Sequence, residues 1–130
     1  MIDLTQVKED VKELVEHLTE LPAYYDIVPL GCRSGALLVK GNTTFEGRTI
    51  DGDAHVAHHS FDVILFSFEN AETVDKLTSD FVNATEGKYS EKFQLIEVTG
   101  IDPIEYDQDV GFWANSVSME FVVHGRRSNG

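Results

Sequence analysis

One cysteine, Cys32, stands in 130 residues, so no disulfide can form within the chain and a disulfide-stapled scaffold is excluded. Basic residues are also scarce, ten against 23 acids, for a formal net charge of −13. No stretch collects enough Lys or Arg to neutralise a row of phosphates, which argues against binding DNA or RNA through the backbone. Long hydrophobic runs are missing too: none approaches the roughly 20 residues of a membrane span. Acids occupy the opening segment where a signal peptide would carry lysines. These absences together predict a soluble product of a reducing cytosol.

What is present is enough to build an interior. Hydrophobic residues make up 42% of the chain and aromatics 10%, well away from disordered composition. A length of 130 residues fits one domain, 1–130, whose single core hides roughly two thirds of the surface of the unfolded chain. A charge of this size also pushes identical subunits apart, so any assembly needs a compensating apolar interface.

The periodicity is that of an α+β domain with two amphipathic helices and a sheet that needs covering on at least one face. Leu4, Val7, Val11, Leu14, Val15, Leu18 and Leu21 recur at spacings of three and four, the stripe of a helix with one buried face. Asp3 is placed to cap it, Gln6 three residues on gives a capping box, and Pro22 closes the far end. A second helix starts after Asn70, with Ala71, Val74, Leu77, Phe81 and Val82 as its apolar stripe and Gly87 as its exit.

Strands are expected at Ala36–Val39, bounded by Gly35 and Gly41, and at Thr43–Ile50, which could pair with it. Asp51, Gly52 and Asp53 then have turn chemistry. From His55 to Phe68 both faces become apolar, Phe61, Val63 and Leu65 on one and Ile64, Phe66 and Phe68 on the other. That pattern predicts a central strand covered on both sides, either by two helices or by one helix and a partner subunit. Phe93–Ile101 is strand-like, an acidic loop runs from Asp102 to Asp109, and Trp113 to Val123 alternates cleanly as a half-buried strand. The segment from Gly41 to His59 is rich in Gly, Thr and Asp, and is expected to be a mobile arm that orders on a neighbour.

One cluster suggests chemistry. Asp51, Asp53, His55, His58 and His59 are metal-ligand types within nine residues of each other. On a strand His55 and His59 share a face that His58 does not, so three ligands cannot converge without a bulge. The plainer reading makes Asp51–Asp53 a hairpin turn and the histidines strand residues, with no metal and no cofactor. Cys32 lacks the sequence signature of an activated nucleophile, Gly31, Gly35 and Gly41 are not followed by a phosphate-binding lysine and helix, and Asp107 with Asp109 reads as a solvated loop. Phe112 and Trp113, aromatics at a sheet margin, are better placed to anchor a protein contact.

The amphipathic first helix (Leu4 to Leu21), the strand running straight into a helix (HHSFDVILFSFENAETVDKLTSDF) and the aromatic-led last strand (GFWANSVSMEFVVHG) together resemble the tail terminator, or tail completion (minor capsid), proteins of long-tailed bacteriophages. The resemblance implies a non-enzymatic virion subunit, α+β with two amphipathic helices packed on a mixed or mainly antiparallel sheet, assembled in the host cytoplasm into a ring, a hexamer in such proteins. The ring would cap the tail tube at its final length and offer the surface on which the head docks. Its partners would be further copies of itself, the tail tube protein and the head–tail connectors, with DNA passing the lumen unbound and no membrane involved. Phe66, Phe68, Phe112 and Trp113, with Arg48, Asp51 and Asp53 of the arm, are then the expected contact residues. A head–tail connector is the near alternative, and a small metal-dependent hydrolase using His55, His58 and His59 the distant one.

Overall fold

The computed structural model describes residues 3–48, 54–85 and 92–124. They form helix α1 (Leu4–Thr19), strands β1 (Ala23–Tyr24), β2 (Ser34–Arg48) and β3 (Ala54–Ser67), helix α2 (Ala71–Thr85), and strands β4 (Leu95–Ile101), β5 (Glu105–Asp107) and β6 (Phe112–His124). Six strands make one mixed sheet, mostly antiparallel, in the order β1-β2-β3-β6-β4, with β5 continuing beside β6. The fold is therefore α+β, as the periodicity predicts.

The helix ends follow their local chemistry. Gln6 N–H donates to the Asp3 carboxylate at 3.1 Å, and Thr73 N–H donates to the Asn70 side-chain oxygen at 2.8 Å. Both satisfy backbone donors that a helix start leaves free. The reciprocal half of the expected capping box is not made, because the Gln6 amide donates instead to Asp10 one turn on. Helix α1 stops at Thr19, where Glu20 adopts a left-handed conformation (φ 58°) and its N–H donates to Glu16 O. The expected exit at Gly87 lies outside the described residues.

Both helices pack on one face of the sheet. Val7, Val11 and Val15 of α1 and Phe81 of α2 are buried with the same-face residues Ala36 and Leu38 of β2, Phe61, Val63 and Leu65 of β3, and Val117, Met119 and Phe121 of β6. Each such side chain contributes about 1.5–3 kcal/mol when removed from water. Phe61 is the hub, with Phe121 edge-on at 5.5 Å and Tyr25 at 6.4 Å. The Tyr25 hydroxyl donates to Lys8 O at 2.6 Å, tying the connection after α1 back to that helix. Lys92 pairs with Asp10 and Glu13 at 3.2 and 2.9 Å, holding the approach to β4 against α1.

Two expectations are corrected. Ala36–Val39 and Thr43 onward are not two paired strands but one strand, β2, running through a bulge between Lys40 and Thr43. A bulge adds a residue without ending the strand, so Gly41 and Asn42 look like a break and are not one. Their partner throughout is β3, from Ser34↔Ser67 to Arg48↔Ala54, and the expected turn at Asp51–Asp53 lies outside the described residues. Second, β5 forms inside the presumed acidic loop, pairing Glu105–Asp107 with Phe112–Ala114. Of the two covers expected for the central strand β3, helices supply one, and among the described residues no helix lies on its second face. There Phe66 is buried but Ile64 is only half-buried and Asp62 is exposed.

The expected arm, Gly41 to His59, is regular strand wherever it is described. Glu46 pairs with Val56 and Thr43 with His59, and Val56 pairs in turn with His124 of β6. Ala57 and His59 in its base are buried.

Candidate interaction surfaces

The sheet face away from the helices carries two distinct features, one apolar and one acidic. At the β1 end, Phe66, Phe68 and Phe112 converge: Phe66 meets Phe112 edge-on at 5.5 Å and Phe68 stacks on it at 5.8 Å. The loop from Val28 to Cys32 folds over them and leaves an open apolar groove of about 320 Å³, with Leu37 in its floor and Val110 at its rim. Leu30 is fully exposed, and Ile27 and Val110 are largely so. An exposed apolar surface of this kind marks contact with another molecule more often than it decorates a monomer.

Three of the expected contact residues, Phe66, Phe68 and Phe112, thus come together. Trp113 does not join them. Strand alternation turns it to the other face, where it packs on Tyr106 of β5 at 4.6 Å. Arg48 ends β2 opposite Ala54, and Asp51 and Asp53 lie outside the described residues. Sequence reasoning missed the covering loop. Its signal was the run Ile27, Val28, Pro29 and Leu30, apolar residues in a segment with no strand or helix period to bury them.

Toward the arm the same face is polar and acidic, with Glu46, Asp62, Glu97 and Glu120 brought together from four strands by the pairings β2–β3–β6–β4. His58 sits among them. Its Nδ1 lies 2.5 Å from Glu120 Oε1, and its Nε2 lies 3.3 Å from Glu46 Oε1, near enough for ion pairing but misaligned for a hydrogen bond. The hydrogen bond to Glu120 chiefly holds the His58 pKa above its ordinary 6.5, against partial burial that pulls it down. Asp62 accepts from the Ser118 hydroxyl at 3.0 Å.

His59 faces the opposite way and is fully buried. Lys40 Nζ donates to Thr43 Oγ1 at 2.8 Å, and that hydroxyl lies 2.9 Å from His59 Nδ1. Thr43 Oγ1 thus links Lys40 to His59, and whether it donates to Nδ1 or accepts from it is set by the tautomer of the ring. Nε2 has no hydrogen-bond partner among the described residues. Burial first, then the Lys40 charge, lowers the His59 pKa. The two neighbouring histidines therefore do not share a site, and among the described residues no group of three His, Cys, Asp or Glu could hold a metal ion. Cys32 Sγ donates to Ser34 O at 3.3 Å, a local contact.

The opposite shifts have opposite signs in stability. His58, raised, stabilises the fold fully below about pH 6.5 and loses that contribution as pH rises through its folded value. His59, lowered, contributes fully above about pH 6.5 and loses its contribution as pH falls through its folded value. The two offset each other in the native chain. His58→Gln is expected to cost about 1 kcal/mol at pH 6 and to leave a variant whose melting temperature climbs with pH more steeply than that of the native chain. Imidazole proton resonances should place His58 above and His59 below the ordinary midpoint. Coincident midpoints would refute the assignment.

No protein-family model matches the chain, and no curated protein matches it. Among the described residues no helix is long and apolar enough to cross a membrane.

Proposed function

We propose that the chain is a structural subunit of a long-tailed bacteriophage, a tail terminator that assembles as a ring on the end of the tail tube and presents the surface on which the head docks. The observation that carries this reading is the unequal treatment of the two sheet faces. Helices seal one face, while among the described residues no helix covers the other, which carries Glu46, Asp62, Glu97 and Glu120 and is apolar at the Phe66–Phe68–Phe112 end. A wall of that construction suits a subunit whose bare face looks into a lumen. Glu46, Asp62, Glu97 and Glu120 would repel a passing polyanion rather than hold it. The groove supplies the apolar contact that so acidic a chain needs to join a neighbour in the tube or neck.

The test is where the protein binds. Fluorescently labelled chain mixed with uncapped tail tubes is expected to mark one end of each tube in electron or fluorescence micrographs. Decoration along the tube wall, or no binding, would reject the terminator role, and binding to isolated head portals instead would favour the connector.

A further inference from the structure

Resting on the ring reading, we infer that successive copies join edge to edge, the outer side of β2 in one chain pairing antiparallel with the outer side of β4 in the next. The partner is a second copy, and the junction is a backbone ladder rather than a side-chain pocket.

Four observations lead there. First, among the described residues both lateral edges of the sheet leave a stretch without a pairing strand. β1 covers β2 only at Ala36 and Leu37, so from Leu38 to Arg48 the outer side of β2 carries no strand among the described residues, and neither does that of β4. Such edges are templates for pairing with another chain.

Second, the strand directions fit a rotation. β2, β3, β6 and β4 alternate in direction, each pair being antiparallel. Four alternating strands leave β4 running opposite to β2. A copy rotated about a ring axis, with its helices kept on the same side, therefore presents its β2 antiparallel to β4, in the more stable ladder.

Third, the open stretches lie at the same height. Following the pairings across the sheet, Leu95 aligns through Val122 and His58 with Thr44, and Ile101 aligns through Val117 and Val63 with Leu38. The seven residues of β4 are thus level with the part of β2 that begins where β1 stops. Val39 and Ile101, 45% and 51% exposed, sit at the two margins and gain cover from the contact.

Fourth, both edges are bulged, β2 between Lys40 and Thr43 and β4 between Val98 and Gly100. Bulges bend and twist a strand, which a sheet continued around a ring requires. The acids of the bare face oppose closure, so salt favours it.

The test uses one backbone donor. Asp102 N–H donates to Ser116 O at 2.9 Å, so by alternation the N–H of Ile101 points to the open edge. Ile101→Pro deletes that donor without removing a bond to β6, and Ile101→Thr trims the side chain but keeps the donor. Light scattering at low and high salt is expected to show native chain and Ile101→Thr as the same closed oligomer. Ile101→Pro should run as a monomer with native circular dichroism, its half-assembly concentration raised about tenfold or more. An Ile101→Pro chain that assembles like the native one overturns the junction and leaves the ring standing, whereas a two-fold dimer of native chain, or a native monomer at every salt and protein concentration, overturns the ring itself. Should Ile101→Pro unfold, hydrogen exchange on the native protein decides. The Ile101 amide should slow on assembly, and equal exchange in dilute and assembled protein overturns the junction.

Discussion

Phe66→Asp is expected to abolish cooperative folding. Phe66 lies on the sheet face that no helix covers, yet only 1% of it is exposed, because Phe112 and the Val28–Cys32 loop close over it. Removing a buried phenylalanine costs about 3–5 kcal/mol through lost transfer and a residual cavity. An aspartate there adds the penalty of a buried charge with no partner, several kcal/mol more unless it takes up a proton. The sum reaches the whole stability of an ordinary domain, about 5–15 kcal/mol. Thermal unfolding followed by circular dichroism should show no transition for Phe66→Asp, and a weakened but cooperative one for Phe66→Leu. A Phe66→Asp chain that melted within a few degrees of the native protein would mean that the groove admits water to its floor.

Gly35→Ala is the second large effect, and it acts at the same place. Gly35 pairs with Phe66 across β2 and β3. A Cβ added to Gly35 would stand 2.7 Å from the Pro22 carbonyl oxygen and 3.2 Å from the Phe66 ring. The ring edge has some room to turn, whereas the carbonyl is backbone and is held by the bond it accepts from Ala36 N–H at 3.0 Å. The methyl therefore drives Pro22 away from β2, breaks that bond and loosens the two-residue strand β1. Overpacking of this kind costs about 1–3 kcal/mol, with the lost hydrogen bond adding about 1 kcal/mol. Chemical denaturation should show a lower midpoint at an unchanged slope. A neutral result would show that β1 yields freely and is not part of the packed sheet.

Together the two substitutions separate the parts of the bare face. Both act on the apolar end, where the Pro22 carbonyl and the Phe66 ring leave Gly35 no room for a side chain, and neither touches the acidic end around His58. Loss of stability from Phe66→Asp or Gly35→Ala and a changed pH dependence from His58→Gln are thus independent readouts, since the sites share no partner.

The helices were legible in the chain because their signals are local. Val7, Val11 and Val15 repeat with the helical period, and Asp3 and Asn70 cap their helices through atoms three residues away. The strand from Trp113 to Val123 was legible for the same reason, as was the opposition of His58 and His59, which follows from a period of two. A bulge resets that period, so β2 read as two pieces, although Lys40 and Thr43 flank one continuous strand. β1 and β5 are two and three residues long, too short for any period to register. They exist because β2 and β6 offer them an edge.

By itself the sequence determined the two helices with their apolar stripes, the long strands β3 and β6, and the excess of acids. Each of these follows from composition or from spacing within a few residues. The tertiary structure alone decided that one sheet face carries no helix among the described residues, that Phe66, Phe68 and Phe112 meet while Trp113 turns away, and that His58 takes its carboxylates from Glu46 on β2 and Glu120 on β6. It alone decided that β4 and, beyond the two residues paired with β1, β2 carry no outer strand among the described residues and run opposed and level. The physical reason is common to all of these: they depend on strand order and register, which are set by pairings between segments far apart in the chain, and no local period encodes which strand lies beside which.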